Sequence, residues 1–398
     1  MASDLSAANS VPAAEQQWPW WPLLPLYPYG RRRSLVRCLI PGQIWSVEQL
    51  QGVYYVAVPI RMSVVRIRHG LMLYAPVAPT REVRQAIAEL EREHGPVRTI
   101  VLPTTSGLEH KLPLPPLARA FPEAEVWISP GQWSFPLPLP EAWQGIPRQR
   151  TRVLGEEGWP HPDELTWCDL GPLQLGLGRF HECSCLHRDS GALLLVDGLV
   201  GLEATPPQLF DLDPTPLLFH ARERGEQPLQ DGVEQRRRGW ARLVLFANYL
   251  RPAPLDVRGA AGVLAGSFRR GVRRAEAHFG LYPFAWQEGW QIEAEALMGG
   301  DAPRLQVAPV LERLVFPRAR RTYLRWLEEL ERLPGLRWLV PAHYSAPIAC
   351  SSEMLAGFRQ RLEGRTWAPS DGSWAFLAGL DQGLLNLGLV PKDPEPAG

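Results

Sequence analysis

What this sequence lacks narrows its class. No run of roughly 18 or more uninterrupted apolar residues occurs in the 398-residue chain, which argues against a membrane-spanning helix. Charge of one sign is not in surplus: 42 Lys and Arg stand against 42 Asp and Glu, so no global field gathers nucleic acid, and no nucleic-acid partner is expected. Cysteine is scarce and odd in number, five in all, which does not make a disulfide framework and fits a reducing compartment. Residues 1–17 lack the basic start and apolar core of a secretory signal and read as a disordered tail. Gly176-Leu177-Gly178 is a glycine pair with no G-x-G-x-x-G running into a helix, so a nucleotide loop is absent too. What is plentiful is Trp, at 16, and Pro, at 41, meaning large rigid apolar surface and many chain reversals.

The segment Trp18–Arg33, WPWWPLLPLYPYGRRR, carries proline at every third position and so takes an extended path with no helical face for its aromatics. Residues 18–43 read as an aromatic and proline-rich strap. Either it lies across the folded domain with Arg31, Arg32 and Arg33 at its exposed end, or Trp18, Trp20 and Trp21 enter a membrane interface with those arginines at the head groups. From residue 44 to 365 the pattern is that of one domain. Val53–Ile60 and Met62–Val77 alternate as strands, with a tight turn at His69-Gly70. Thr80 caps a helix whose Val83, Ile87 and Leu90 share a face, and Gly95-Pro96 ends it. Val97–Pro103 is a continuous apolar run, as in a buried strand. A second block of sheet follows in LTWCDL, LQLGLG and ALLLVDGLV, with His181–His187 read as the loop between the latter two. A helical insertion spans about 203–300, and residues 366–398 form a C-terminal tail.

Four polar residues end apolar strands: His110 after VRTIVLP, His181 after LQLGLG, Asp197 in ALLLVD and His343 after RWLVP. Strand ends are where α/β folds place ligand groups, and three histidines with an aspartate are ordinary zinc or iron ligands. Cys183 and Cys185, two apart on one side of the chain, read as small buried hydrophobes. The arginines at 236–238, 269–270 and 273–274 read as solvated helix faces.

The order TTSGLEH, FPEAEVWISP, GRFHECSCLHRDSGALLLVDGLV and LVPAHY resembles the metallo-β-lactamase fold. That resemblance implies the fold class α/β, or α+β: an αββα sandwich with an N-terminal aromatic and proline-rich extension. In that superfamily the first loop reads T-H-x-H-x-D-H. Here Thr104 keeps the Thr, Thr105 and Gly107 stand at the first two histidine positions, Glu109 replaces the Asp and His110 keeps the His, while His181, Asp197 and His343 fall at the remaining ligand positions. The first metal site would keep only His181 and the bridging Asp197. The second keeps Glu109, His110, Asp197 and His343, so the resemblance implies at most one zinc or iron ion.

WPLLPLYPYGRRR, VPIRMSVVRI, LYAPVAPT, QWSFPLPLP, PLLFHA and FGLYPFAW are similar to an uncharacterised cyanobacterial and plastid family with a degenerate form of this fold. That implies a photosynthetic cell, in the cytoplasm or peripherally at the thylakoid membrane. Two functions follow. One is a non-catalytic scaffold, whose pocket residues are remnants and whose N-terminal segment docks to a protein partner or membrane. The other is a mononuclear metal-dependent hydrolase of a small ester, thioester or phosphorylated substrate.

Overall fold

Runs of Val, Ile, Leu and Tyr build two sheets, and the helices between them settle on the outer faces. The computed structural model describes residues 26–28, 32–53, 55–132, 140–176, 178–267, 280–300 and 302–392. The first sheet holds β1 Leu26–Tyr27, β2 Ser34–Ile40, β3 Ile44–Val53, β4 Val56–Ile67, β5 Gly70–Tyr74, β6 Val97–Leu102, β7 Glu125–Ile128 and β8 Thr151–Val153. Its order is β1-β3-β4-β5-β6-β7-β8, with β2 also paired to β3. The strands from β3 to β5 are antiparallel hairpins, while β5 to β8 run parallel.

Parallel pairing demands crossovers. α1 Arg81–His94 joins β5 to β6: the Thr80 hydroxyl caps it by accepting the Val83 N–H at 3.4 Å, and Gly95 ends it at φ 91°. Its Val83, Ile87 and Leu90 pack on the sheet together with Leu114 and Leu117. Two short helices, α2 Leu108–Lys111 and α3 Leu114–Ala120, make the next crossover.

The second sheet contains β9 Leu165–Gln174, β10 Arg179–His187 and β11 Ala192–Leu195. Then come β12 Val200–Leu202, α4 Leu209–Leu212, α5 Thr215–Ala221, α6 Val233–Tyr249, β13 Leu255–Val257, α7 Ala260–Ser267, β14 Phe284–Trp286, α8 Trp290–Leu297, β15 Arg304–Gln306, α9 Pro309–Leu314 and α10 Arg320–Glu331. β16 Trp338–Pro341, β17 Ile348–Ala349, α11 Ser352–Glu363 and α12 Ala375–Asn386 follow. The strand order is β17-β16-β11-β10-β9. Val65, Met72 and Tyr74 of the first sheet meet Cys183, Cys185 and Leu194 of the second in one apolar layer. Helices α10 and α11 cover the far face of the second sheet through Trp326, Leu327, Leu355 and Phe358. Helix, sheet, sheet, helix is therefore the layering, the αββα sandwich expected.

Three expectations change. His181–His187 is not a loop but most of β10, paired to both β9 and β11. Its Glu182, Ser184 and His187 find hydrogen-bond partners inside the protein, which is how so polar a run can be a central strand. The strap range takes in Ser34–Ile40, which is sheet strand β2. Arg32 is not at an exposed end: it is 1 % exposed, and its guanidinium donates to the carbonyls of Leu50 at 2.9 Å and Tyr27 at 3.5 Å. Carbonyl partners let a cation sit where a run of arginines reads as solvated, and burial draws its pKa down to about 9. Beside it Tyr27 is buried against Tyr55 and hydrogen-bonds Asp213. Trp18, Trp20, Trp21 and Arg31, and the arginines at 269, 270, 273 and 274, lie outside the described residues. Among the described residues no helix is long and apolar enough to cross a membrane.

Candidate metal centre

Two strand-end segments bring the imidazoles together. The loop after β6 leads into α2 with Glu109 and His110, and the segment after β16 carries His343. His110 is buried, and its Nδ1 lies 2.9 Å from the carbonyl oxygen of Pro76. His343 places Nδ1 3.2 Å from the carbonyl oxygen of Pro59. A carbonyl only accepts, so each ring carries a proton on Nδ1 and turns its Nε2 the other way. For His110 that Nε2 is buried and has no hydrogen-bond partner. For His343 it lies 3.3 Å from Asp197 Oδ1 and 3.8 Å from Glu109 Oε1.

The ligand atoms of Glu109, His110 and His343 all fall within 4.8 Å of one another. Asp197 joins the cluster through His343, and its second oxygen accepts the Ser106 hydroxyl at 2.7 Å. The turn that presents Asp197 is gripped from below by Glu182. This buried carboxylate accepts the N–H groups of Val196, Asp197 and Gly198, each at 2.8 Å. Burial and the neighbouring Asp197 push the Glu182 carboxyl up to about 7 in spite of those three donors. Burial, then Asp197, likewise raises Glu109 above the ordinary carboxyl range, and burial followed by His343 draws His110 down to about 4. The centre thus gathers lone pairs and carboxylates that destabilise one another's charged forms, a donor set that fits a cation. The orphaned Nε2 of His110 is the observation that makes the fit.

His181 stands apart from this set. Its Nε2 hydrogen-bonds Asp169, and Cys183 Sγ lies 3.4 Å from the same carboxylate. Asp169, His181 and Cys183 also come within 4.8 Å of one another. Yet a metal taken by Nε2 would force the ring proton onto Nδ1, which is buried without an acceptor. Thr105 is no ligand either, since its hydroxyl donates to the Arg179 carbonyl at 3.0 Å and accepts the His181 N–H at 2.9 Å.

A pocket of about 540 Å³ opens onto Glu109, Asp197 and His343. Val56 and Val58 of β4 and Phe246 and Leu250 at the end of α6 line it, together with Asn248 and Tyr344. Asp169, Asn248 and Tyr344 have no motif in the sequence. Asp169 meets Cys183 only through the β9–β10 register.

A family model described as "Domain of unknown function (DUF4336)" matches residues 41–360. Among curated proteins none matches the chain. Solved structures similar to it include the DIM-1 metallo-beta-lactamase, at 7% identity and TM-score 0.40, covering 84% of this chain and 99% of that one. The mono-zinc form of metallo-beta-lactamase FIM-1 from Pseudomonas aeruginosa is similar at 9% identity and TM-score 0.37, covering 83% of this chain and 96% of its own. A metallo-beta-lactamase from Pontibacter korlensis is similar at 10% identity and TM-score 0.37, covering 84% and 100%. Likeness at this level carries no activity over to this chain.

Proposed function

Because the chain belongs to the DUF4336 family, whose description assigns no activity, we propose its function from its own pocket: a mononuclear metal-dependent hydrolase of a small ester substrate. The observation that supports it is the convergence of two Nε2 atoms, each ring oriented by a backbone carbonyl behind it, on the carboxylates of Glu109 and Asp197. His110 Nε2 faces this cluster, buried and without a hydrogen-bond partner among the described residues, so a ligand there would satisfy it.

Glu109, His110, Asp197 and His343 would hold the ion, and two nitrogens with two oxygens suit zinc or iron. When bound, such an ion supplies a Lewis acid and a water of lowered pKa. The protein's own part is orientation. Ser106 fixes one oxygen of Asp197 and leaves the other toward His343, and Glu182 locks the turn beneath. The apolar pocket walls give the acyl group of such an ester a surface to pack on.

Elemental analysis of protein purified without chelators tests this reading. One equivalent of zinc or iron is expected, lost in His110→Ala and in His343→Ala and kept in His181→Ala, with thermal midpoints measured to confirm folding. Folded wild-type protein that binds neither metal on addition would return the site to a remnant.

A further inference from the structure

The walls of this pocket narrow the substrate class beyond the hydrolase reading on which this inference rests. Among the described residues that line it there is no Lys or Arg, while Glu109 and Asp197 both face it. With a divalent ion balanced by those two carboxylates, a phosphorylated or carboxylate-bearing substrate would meet no side-chain cation to offset its own charge. Val56, Val58, Phe246, Leu250, Val310 and Leu311 instead offer an apolar lining suited to an uncharged chain or ring.

Besides Gln51 and Ser106, two polar side chains outside the metal-ligand set, Asn248 and Tyr344, interrupt that lining. Asn248 is 1 % exposed, and its Nδ2 donates to the Val244 carbonyl at 2.9 Å and to the Tyr344 hydroxyl oxygen at 3.3 Å. The Val244 carbonyl fixes which way the amide faces, so the Tyr344 oxygen receives a donor and must turn its own proton elsewhere. No residue among those described accepts that proton. Asn248 Oδ1 is buried and unpartnered as well. Tyr344 also has a left-handed backbone, φ 58°, which a tyrosine adopts only where its surroundings impose it. The Arg61 guanidinium imposes it by gripping the Tyr344 carbonyl at 2.6 Å, and the Ser345 N–H adds a bond to the Gly201 carbonyl at 3.2 Å. A strained residue next to His343 thus carries a hydroxyl with a free proton among the residues that line this pocket.

We propose that Tyr344 donates this hydrogen bond to the carbonyl oxygen of an uncharged acyl ester whose apolar acid portion fills the pocket, with Asn248 as the positioning residue. Water adds its oxygen to the acyl carbon, and the carbonyl electron pair moves onto the oxygen held by Tyr344. When that pair returns, the acyl–oxygen bond breaks and the departing alkoxide oxygen takes a proton from the added water. The Tyr344 bond strengthens as negative charge builds on its acceptor, so it acts on the transition state more than on the bound ester.

The test uses metal-loaded protein with p-nitrophenyl acetate, butyrate and octanoate, the p-nitrophenyl monoester of succinate, and bis(p-nitrophenyl) phosphate. Butyrate or octanoate should be cleaved faster than the succinate monoester, and the phosphodiester should not be cleaved. Tyr344→Phe should lower kcat about 10²–10³-fold while KM stays within about twofold and the metal content is unchanged. Asn248→Ala should reproduce part of that loss. Tyr344→Phe with wild-type kcat, or cleavage of the phosphodiester in preference to the esters, would overturn this proposal and leave the hydrolase reading standing. Metal-loaded protein that cleaves none of these probes would take down both.

Discussion

The Glu109 carboxylate occupies the space in which a side chain on Gly107 would begin: a Cβ built on Gly107 would lie 1.9 Å from Glu109 Oε1. The two residues act as a pair. A glutamate one methylene longer than aspartate has to fold back toward its own loop, and the missing side chain at 107, where φ is +69°, gives it room to do so. Neither Thr105 nor Gly107 offers an imidazole, so this loop has no nitrogen ligand for a second ion beside the first.

Gly107→Ala should therefore push the Glu109 carboxylate out of the cluster and strain a left-handed backbone. Metal affinity, read by competition with a chromogenic chelator, should fall at least about tenfold. Stability should drop by about 1 kcal/mol or more. Unchanged affinity in the alanine variant would break the pairing of these two residues.

Arg61 should prove to be the residue that holds the His343 segment in place. It is 1 % exposed, pairs with Glu48 at 2.9 Å, and donates to the carbonyls of Pro341 and Tyr344 on either side of His343. Burial pushes Glu48 up, but Arg61 and Arg37 outweigh it and keep the carboxyl below its ordinary value. Arg61→Met strands part of that buried charge and should cost about 3–5 kcal/mol in urea unfolding, with weaker metal binding. Adding Glu48→Gln should recover some of the stability and little of the affinity, since the carbonyls stay unheld. Equal recovery of both would show that Arg61 serves the ion pair alone.

Much of this was legible before any coordinates. Thr80 with Val83, Ile87 and Leu90 announces α1 because a cap and a 3.6-residue period are local signals. Asp197 and His343 stand out because each follows directly on an apolar strand, and His110 because it comes shortly after one, in the helix that the loop beyond β6 leads into. Other features depend on partners distant in sequence. β10 hides its strand character because Glu182, Ser184 and His187 are polar, and their hydrogen bonds run to the 196–198 turn, back to Glu182 itself, and to Ser190. Arg32 looks solvated until the Leu50 carbonyl is brought beside it. Asn248 and Tyr344 are 96 positions apart, and no spacing rule joins a residue on α6 to one after β16.

His220 should set part of the acid sensitivity of the insertion. It is fully buried, bonds the Tyr55 carbonyl at 3.1 Å, and is drawn down to about 3 by burial, with Arg242 and Arg222 adding to the effect. A histidine lowered in the folded state binds fewer protons there than in the unfolded chain, whose value is about 6.5. Its stabilising contribution is thus complete above about pH 6.5 and is lost as pH falls toward 3. From pH 7 to pH 5 that loss amounts to about 2 kcal/mol. Denaturant unfolding at pH 7 and pH 5 should show His220→Gln losing less than the wild type by about this amount. Parallel losses in the two proteins would assign the acid sensitivity to other groups.

Glu182 offers the sharpest separation of a positioning role from ordinary core stability. Its two oxygens divide three backbone donors: Oε1 takes the Val196 N–H, and Oε2 takes those of Asp197 and Gly198. Glu182→Gln keeps the volume but turns an NH2 group against at least one of these N–H groups, so the turn must shift to relieve two facing donors. The unmet bond should cost about 1–3 kcal/mol. Because the displaced residue is Asp197, metal affinity should fall about 10–100-fold as well, the usual effect of losing a group that orients a ligand. Leu165→Val, a truncation at the start of β9 in the same sheet and away from the turn, provides the comparison. It should lower stability by about 1 kcal/mol and leave affinity where it was. If both variants lose affinity only in proportion to their stability, Glu182 is a core residue like any other and the Asp197 turn is set by its own backbone.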